Sequence, residues 1–253
     1  MRHAVVTGVS KGLGESIAKK FMERGVHVTG ISRGKNHRLA DVAAANQVTY
    51  QHYAIDLGNL QATEKTFQQI SDDIFSRNLD TVYLINNAGV LEPMSPSMNT
   101  TSADIAHHIQ VNMTAPMVLT NIFLKKAADW DVRFMAATIT SGAAERPVYG
   151  WSAYCSTKAS INMYTQTAAL EQDKLETRSK VIAFSPGIMD TDMQKTIRNS
   201  DKHAFREVDQ FRAYKEQNKL KDADTVGGVL VDILTDDSSV VNGKIYNVAD
   251  YTD

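Results

Sequence analysis

The chain has 253 residues, of which 43% are hydrophobic and 22% charged, with a formal net charge of −2. That length suits one large α/β domain or two small ones, and the composition suits a soluble protein with a full core. The near-neutral charge without any Lys/Arg-rich run gives no basis for binding nucleic acid or anionic membrane, and the single cysteine, Cys155, excludes an internal disulfide framework and a CxxC zinc site.

The N-terminal "MRHAVVTGVS" lacks the long apolar run of a secretory signal, and no stretch approaches membrane-spanning length. A reducing, cytoplasmic location is therefore expected, and the Asn-x-Thr triplets at Asn99 and Asn112 are not expected to be glycosylated. "HAVVTG" reads as a strand, and "ESIAKKFMERG" carries apolar residues at helical spacing and stops at Gly25. "VHVTGIS" and "VTYQHYAIDL" are strand-like, "TEKTFQQISDDIFSRN" is an amphipathic helix, and "TVYLINNAG" is a further strand. The helical stretch 102–127, the strand "RFMAATITSG", the helical stretch 152–175 and the strand "KVIAFSPG" follow. A polar helical region at 190–218, a helix at 223–235 and the strand "KIYNVAD" complete the chain.

About seven nearly continuous apolar strands, separated by helices, predict a doubly wound α/β domain whose parallel sheet is covered on both faces. Nothing marks a linker, so residues 1–253 are read as one domain, with the segment at about 188–218 as a mobile cap over the substrate. Ligands of such sheets bind beyond the carboxyl ends of the strands, where Gly8, Asn86, Ser141 and Pro186 fall.

"TGVSKGLGESIAKKF" follows the first strand and opens the first helix. Gly8, Gly12 and Gly14 permit a tight turn and a close backbone approach, and the helix N-terminus offers free N–H groups to a pyrophosphate. Ser10, Lys11 and Leu13 share this loop. The spacing is GxxxGxG, not GxGxxG, and three glycines alone also fit an ordinary strand-to-helix turn. An acidic residue after the second strand would bond the ribose of NAD; Ser32 and Arg33 stand there instead. A guanidinium attracts a 2′-phosphate, and Lys11 adds charge nearby, so NADPH is predicted over NADH. The alternative for Arg33 is a solvated loop residue. Asp56, followed by Leu57, either bonds the adenine amine or caps the next helix.

Tyr154 and Lys158 stand four positions apart on a predicted helix and so share a face. A phenol with a pKa of about 10 exchanges protons poorly near neutrality, and a cation within roughly 4–6 Å lowers that value. Most Tyr-x-x-x-Lys pairs are surface accidents. Ser141, just past the fifth strand, offers a hydroxyl to a carbonyl oxygen, or else merely caps a turn. Asn112 lies mid-helix against its propensity, which suggests that it binds something, such as a water linked to Lys158.

With "TGVSKGLG", "NNAG" at 86–89, Asn112, Ser141, "YCSTK" and "SPG" at 185–187, the chain resembles the short-chain dehydrogenase/reductase family over essentially its full length. The resemblance implies a Rossmann-type domain, NAD(P)-dependent hydride transfer and a tetrad of Asn112, Ser141, Tyr154 and Lys158. It also implies that the asparagines of "NNAG", here Asn86 and Asn87 with Ala88 and Gly89, shape the nicotinamide side of the site together with Pro186, Gly187 and Ile188. Thr191 would contact the carboxamide. Family members are usually dimers or tetramers, so a homodimer or homotetramer is expected.

Within the family, "RPVYGWSAYCSTKASINM", "PGIMDTDMQ" and "NGKIYNVADYTD" look most like the sepiapterin reductase and benzil reductase group. The resemblance aligns Asp250 with a pterin-anchoring aspartate; an exposed tail carboxylate is the other reading. Further substrate contacts are expected from Leu91, Ala143, Tyr149, Trp151, Ile188 and Met193, with Trp151 suited to a flat conjugated diketone. The adjacent His107 and His108 are given no metal role, and no metal is expected. The reading is an NADPH-dependent carbonyl reductase acting on a vicinal dicarbonyl, benzil-like or sepiapterin-like. Its alternatives are another alcohol, ketone or acyl reductase, and a non-catalytic NADP(H)-binding regulator.

Overall fold

The β-branched runs form seven strands in the computed structural model, which describes residues 1–236 and 238–252. They are β1 (Arg2–Thr7), β2 (His27–Ser32), β3 (Tyr50–Ala54), β4 (Thr81–Asn86), β5 (Arg133–Ile139), β6 (Ser179–Ser185) and β7 (Ile245–Asn247). The sheet order is β3-β2-β1-β4-β5-β6-β7, and every pairing is parallel. Parallel neighbours need crossovers, and these are supplied by helices that bury both faces of the sheet. The doubly wound fold expected from the sequence is therefore the observed one.

On one face lie α1 (Gly12–Glu23), α2 (Arg38–Ala45) and α9 (Ala223–Thr235), where Ile17, Phe21, Leu230 and Leu234 pack over β1 and β4. On the other lie α3 (Leu60–Phe75), α5 (Ala115–Asp129) and α6 (Ser152–Lys174), burying Phe67, Ile74, Leu119, Phe123 and Ala168. A third, smaller core of Leu91, Ala143, Val148, Trp151, Tyr154, Ile197, Phe205 and Val208 lies under the cap. The segment expected to form the cap holds the short helix α7 (Asp192–Arg198) and α8 (Val208–Glu216), which divide the predicted 190–218 region.

Two features depart from the sequence reading. The eight-residue α2 went unpredicted; its "RLADVAAA" buries only Leu39 and Ala43, too little for a readable period. The stretch 102–127 is not one helix. α4 (Ser102–Ile109) passes through a wide π turn at Gln110–Thr114 into α5. Pro116 sits in the first turn of α5 and has no N–H to give, while Ala115 N–H reaches back to Gln110 O. That wide turn presents Asn112.

Candidate active site

The chain order of the sheet reverses between β1 and β4, which leaves a crevice at their carboxyl ends. A cleft of about 1210 Å³ opens there, more than the roughly 300–1,000 Å³ usual for one small ligand. The loop after β1 contributes Gly8, Ser10, Lys11, Gly12 and Leu13 to its lining. The ends of β2 and β3 add Ser32, Arg33, Asp56 and Leu57. The end of β4 adds Asn87, Ala88 and Gly89, and the turn after β6 adds Pro186, Gly187, Ile188 and Thr191.

The glycine loop is built for backbone approach. Gly8 has φ +78°, and a Cβ on it would meet Asn87 Nδ2 at 2.7 Å. Gly14 does not line the cleft; a Cβ there would lie 2.3 Å from Gly8 O, so it serves to close α1 onto the loop. No side chain caps the N-terminus of α1, although Gly12 and Leu13 lie in the lining. An uncapped helix start inside a side-chain-free cradle fits the pyrophosphate of a dinucleotide. Thr7 pins the crevice: its Oγ1 accepts from Asn87 N at 3.0 Å and Ala88 N at 2.9 Å. Asn87 Nδ2 donates to Thr7 O at 2.9 Å.

Several expected contacts are redirected. Asn86 is buried away from the cleft, with Nδ2 donating to Thr120 Oγ1 at 3.0 Å, so of the "NNAG" asparagines only Asn87 shapes the cleft wall. Lys11 is paired with Asp192 of the cap, which draws its charge toward α7. Ser32 Oγ donates to Gly34 O at 2.7 Å and is spent on its own turn. Asp56 Oδ1 accepts from Gly58 N at 2.9 Å, and the cap of α3 is Asn59 instead. Thr191 lines the cleft and also caps α7.

Ser141, Tyr154 and Lys158 of the expected tetrad meet at the carboxyl edge of β5. Tyr154 and Lys158 project from α6 and are 8% and 7% exposed. Ser141 Oγ accepts from Ala143 N at 3.2 Å and so caps a turn, and the same hydroxyl favours the Tyr154 phenolate. Lys158 Nζ donates to Ile139 O at 2.8 Å and lies 5.5 Å from the centre of the Tyr154 ring. Burial pushes Lys158 down to about 8. It also pushes the Tyr154 phenol above its usual value, against the opposing pull of Ser141. The expected lowering of the phenol is thus absent in the protein alone, because desolvation of the buried phenol outweighs the favourable contact with Ser141.

Asn112 is buried and does not line the cleft. Its Oδ1 accepts from Val90 N at 2.8 Å, and its Nδ2 donates to Val90 O at 2.7 Å and to His108 Nε2 at 2.9 Å. Both amide hydrogens are committed, so a water-holding role would need another group of this residue.

Leu91, Ala143, Trp151, Ile188 and Met193 line the cleft as expected. Tyr149 and Asp250 do not. Tyr149 is 43% exposed and lies under the Arg206 guanidinium, 4.7 Å from its ring centre. Asp250 is exposed in a terminal turn, and Asn247 is the lining residue from that segment. Trp151 stacks on Phe205 at 4.6 Å and meets Phe211 edge-on at 5.7 Å. Phe211 and Tyr214 extend this aromatic wall into the lining. Across it, Arg146 makes a bidentate pair with Glu207 at 2.9 and 2.7 Å, tying the start of α8 to the segment after β5. No cluster able to hold a metal occurs among the described residues.

Residues 2–202 match the family model for short chain dehydrogenases. The chain belongs to the short-chain dehydrogenase/reductase family. It is 38% identical over 247 residues to a benzil reductase ((S)-benzoin forming) of Bacillus subtilis, covering 98% of each chain. A Bacillus cereus protein with the same description is 38% identical over 234 residues, covering 92% of this chain and 94% of the relative. A sepiapterin reductase from Meriones unguiculatus is more distant, at 26% identity over 92% of this chain and 91% of its own. Among solved structures, a short chain dehydrogenase/reductase of Saccharomyces cerevisiae superposes with a TM-score of 0.83 at 25% identity. It covers all of this chain and 97% of its own.

As a member of this family the chain is an oxidoreductase. Phe211, Tyr214 and the Arg146–Glu207 pair escaped the sequence reading, and His108 was given no role beyond the exclusion of a metal. The aromatics at 205, 211 and 214 were visible as apolar exceptions in a polar segment, but nothing local tied them to Trp151. No described helix is long and apolar enough to cross a membrane.

Proposed function

We propose that the chain is an NADPH-dependent carbonyl reductase whose substrates are aromatic vicinal diketones. The observation that carries the reading is the buried Tyr154–Lys158 pair with the half-buried Ser141 beside it, next to an aromatic wall in a cleft that begins at a phosphate-type glycine loop. A bound nicotinamide dinucleotide supplies the hydride. The Gly8–Gly14 loop and the α1 N-terminus would hold its pyrophosphate, and Arg33 the 2′-phosphate. Asn87 to Gly89 and Pro186 to Ile188 would flank the nicotinamide.

Ser141 and Tyr154 hydrogen-bond the ketone oxygen, and Tyr154 gives that oxygen its proton. A phenol raised by burial stays protonated through neutrality, which suits a proton donor in the reducing direction. Lys158 holds positive charge near the phenol as the phenolate forms. Trp151, Phe211 and Tyr214 offer aromatic faces and edges to an aryl group. The benzil reductase relatives support this class, and the exposure of Asp250 removes the support for a pterin anchor.

NADPH oxidation with benzil and with sepiapterin tests the reading. Benzil should be favoured in kcat/KM by roughly tenfold or more, since Asp250, the expected anchor of a pterin amine, lies outside the cleft lining. Retained NADPH binding without turnover of any carbonyl would support the regulator instead. The alkaline side is set by Lys158. Because its pKa is lowered to about 8, kcat/KM for benzil should fall as pH rises through about 8 and Lys158 loses its proton. A flat profile to pH values near the ordinary lysine range, about 10.4, would remove Lys158 from the proton step.

A further inference from the structure

His108, on the last turn of α4, is buried at 0% exposure although its ring carries two hydrogen-bonding nitrogens. Its Nδ1 lies 2.6 Å from Glu92 O, and its Nε2 lies 2.9 Å from Asn112 Nδ2 and 3.2 Å from Thr157 Oγ1. The ring also meets Tyr154 edge-on, with centres 6.1 Å apart. It thus touches the segment after β4, the π turn and α6, all of which carry parts of the proposed site.

The donors and acceptors along this chain fix one another. Val90 N–H can only donate, so the Asn112 atom facing it is Oδ1 and the other is Nδ2. Asn112 Nδ2 then donates to Val90 O and to His108 Nε2, which must be bare. Glu92 O can only accept, so His108 Nδ1 carries the proton. A proton on Nε2 would set two donors against each other at 2.9 Å and leave Thr157 Oγ1 as the only acceptor within reach.

We propose that His108 is a positioning residue, whose neutral Nδ1–H form locks the Asn112 amide and thereby the Val90–Glu92 wall beside Tyr154. The proposal rests on the reductase reading above. Leu91, held between the two bonded residues, lines the cleft, so release of the lock moves a pocket wall. The surroundings favour the neutral ring. Burial depresses its protonation against the pull of the Glu92 carbonyl. The positive Lys158 from α6 and His107 from α4 add to the lowering, while the Glu92 carboxylate opposes them. Tyr154 and Thr157 of α6 and Asn112 of the π turn complete the contacts.

Imidazole nitrogen NMR shifts of the full chain near neutral pH, without substrate, should show His108 protonated at Nδ1 and bare at Nε2. A proton on Nε2 would overturn the proposal. In kinetics, His108→Phe keeps the ring volume and removes the lock. It should lower kcat for benzil by roughly ten- to a hundredfold, the cost of unpaired buried groups, with the Kd for NADPH unchanged. His108→Gln, which restores an acceptor for Asn112, should recover most of that loss. It should also lack the fall in kcat expected of the native protein as pH drops below the imidazole range and Nε2 gains a proton. Unchanged kcat in His108→Phe, or an acid limb that survives in His108→Gln, would overturn the proposal. If the native chain reduces no carbonyl, the reductase reading fails by itself, and the NMR tautomer still decides whether the lock exists.

Discussion

Tyr154→Phe should lower benzil reduction by at least about a thousandfold while changing the Kd for NADPH little. The phenyl ring is retained, so its packing against Trp151 at 5.2 Å and His108 at 6.1 Å survives, and only the hydroxyl is lost. Positioned proton transfer contributes roughly 10²–10⁴ in rate. The loss belongs in the upper part of that range because the described surroundings offer no second acid. The Ser141 hydroxyl is far too weak an acid to replace a phenol, while Lys158 Nζ is directed to Ile139 O. Water is a poor substitute in a site whose tyrosine is 8% exposed. Stopped-flow turnover with benzil, alongside a fluorescence titration with NADPH, measures both quantities. Near-native turnover would take Tyr154 out of the mechanism. Weakened cofactor binding in step with lost turnover would assign it a cofactor contact in place of a proton. The raised phenol of the protein alone makes the direction of reaction part of this prediction. A protonated phenol is ready to reduce, whereas oxidation of the alcohol needs a phenolate, which burial disfavours until positive charge is brought in. Reduction should therefore be much less sensitive to pH below 8 than the reverse reaction.

What was legible in the sequence was whatever has a short period or a fixed local spacing. Strands such as "HAVVT" and "TVYLIN" are apolar on both faces because the sheet is covered on both, so they stand out without alternation. The glycine loop and the Tyr154–Lys158 pair each occupy one turn, so their geometry follows from spacing alone. The misplaced residues depended on distant partners. Lys11 finds Asp192 across 181 positions, and Tyr149 finds Arg206. The place of Asp250 depends on how the segment after β7 turns, and there Asn247 lines the cleft while Asp250 is exposed. The role of Asn112 was half legible. Its poor helix propensity flagged a site, yet only the π turn shows that its amide is turned to Val90 and His108. The phenol's rise in the protein alone was not legible for a physical reason: burial is a property of the tertiary structure, and helical spacing reports only the favourable charge.

Arg33→Asp is expected to shift cofactor preference from NADPH toward NADH by roughly a hundredfold or more. Arg33 is exposed at the end of β2 and lines the cleft, and no carboxylate partner holds it among the described residues. No acidic residue occurs from Ser32 to Ala40, whereas Arg33, Lys35 and Arg38 all lie in that stretch. Arg38 is neutralised by Glu15 at 2.8 Å, and Lys11 by Asp192, so Arg33 and Lys35 carry the free positive charge. A guanidinium binds a phosphate through paired, charge-assisted hydrogen bonds. An aspartate in its place repels the same phosphate and can accept from the two ribose hydroxyls of NADH. Like-charge contact costs several kcal/mol in such settings, and each 1.4 kcal/mol is tenfold in affinity, so two orders of magnitude is a conservative expectation. Lys35 remains in the variant and should leave residual NADPH binding, which Arg33→Asp combined with Lys35→Ala should reduce further. The ratio of kcat/KM for the two cofactors with benzil, together with their Kd values, measures the shift, and unchanged thermal stability excludes misfolding. A ratio that stays put in both variants would mean that the 2′-phosphate is recognised elsewhere. The cleft region bounded by Lys11 and Asp192 would be the next place to look, since opening that pair would return a lysine to the phosphate side.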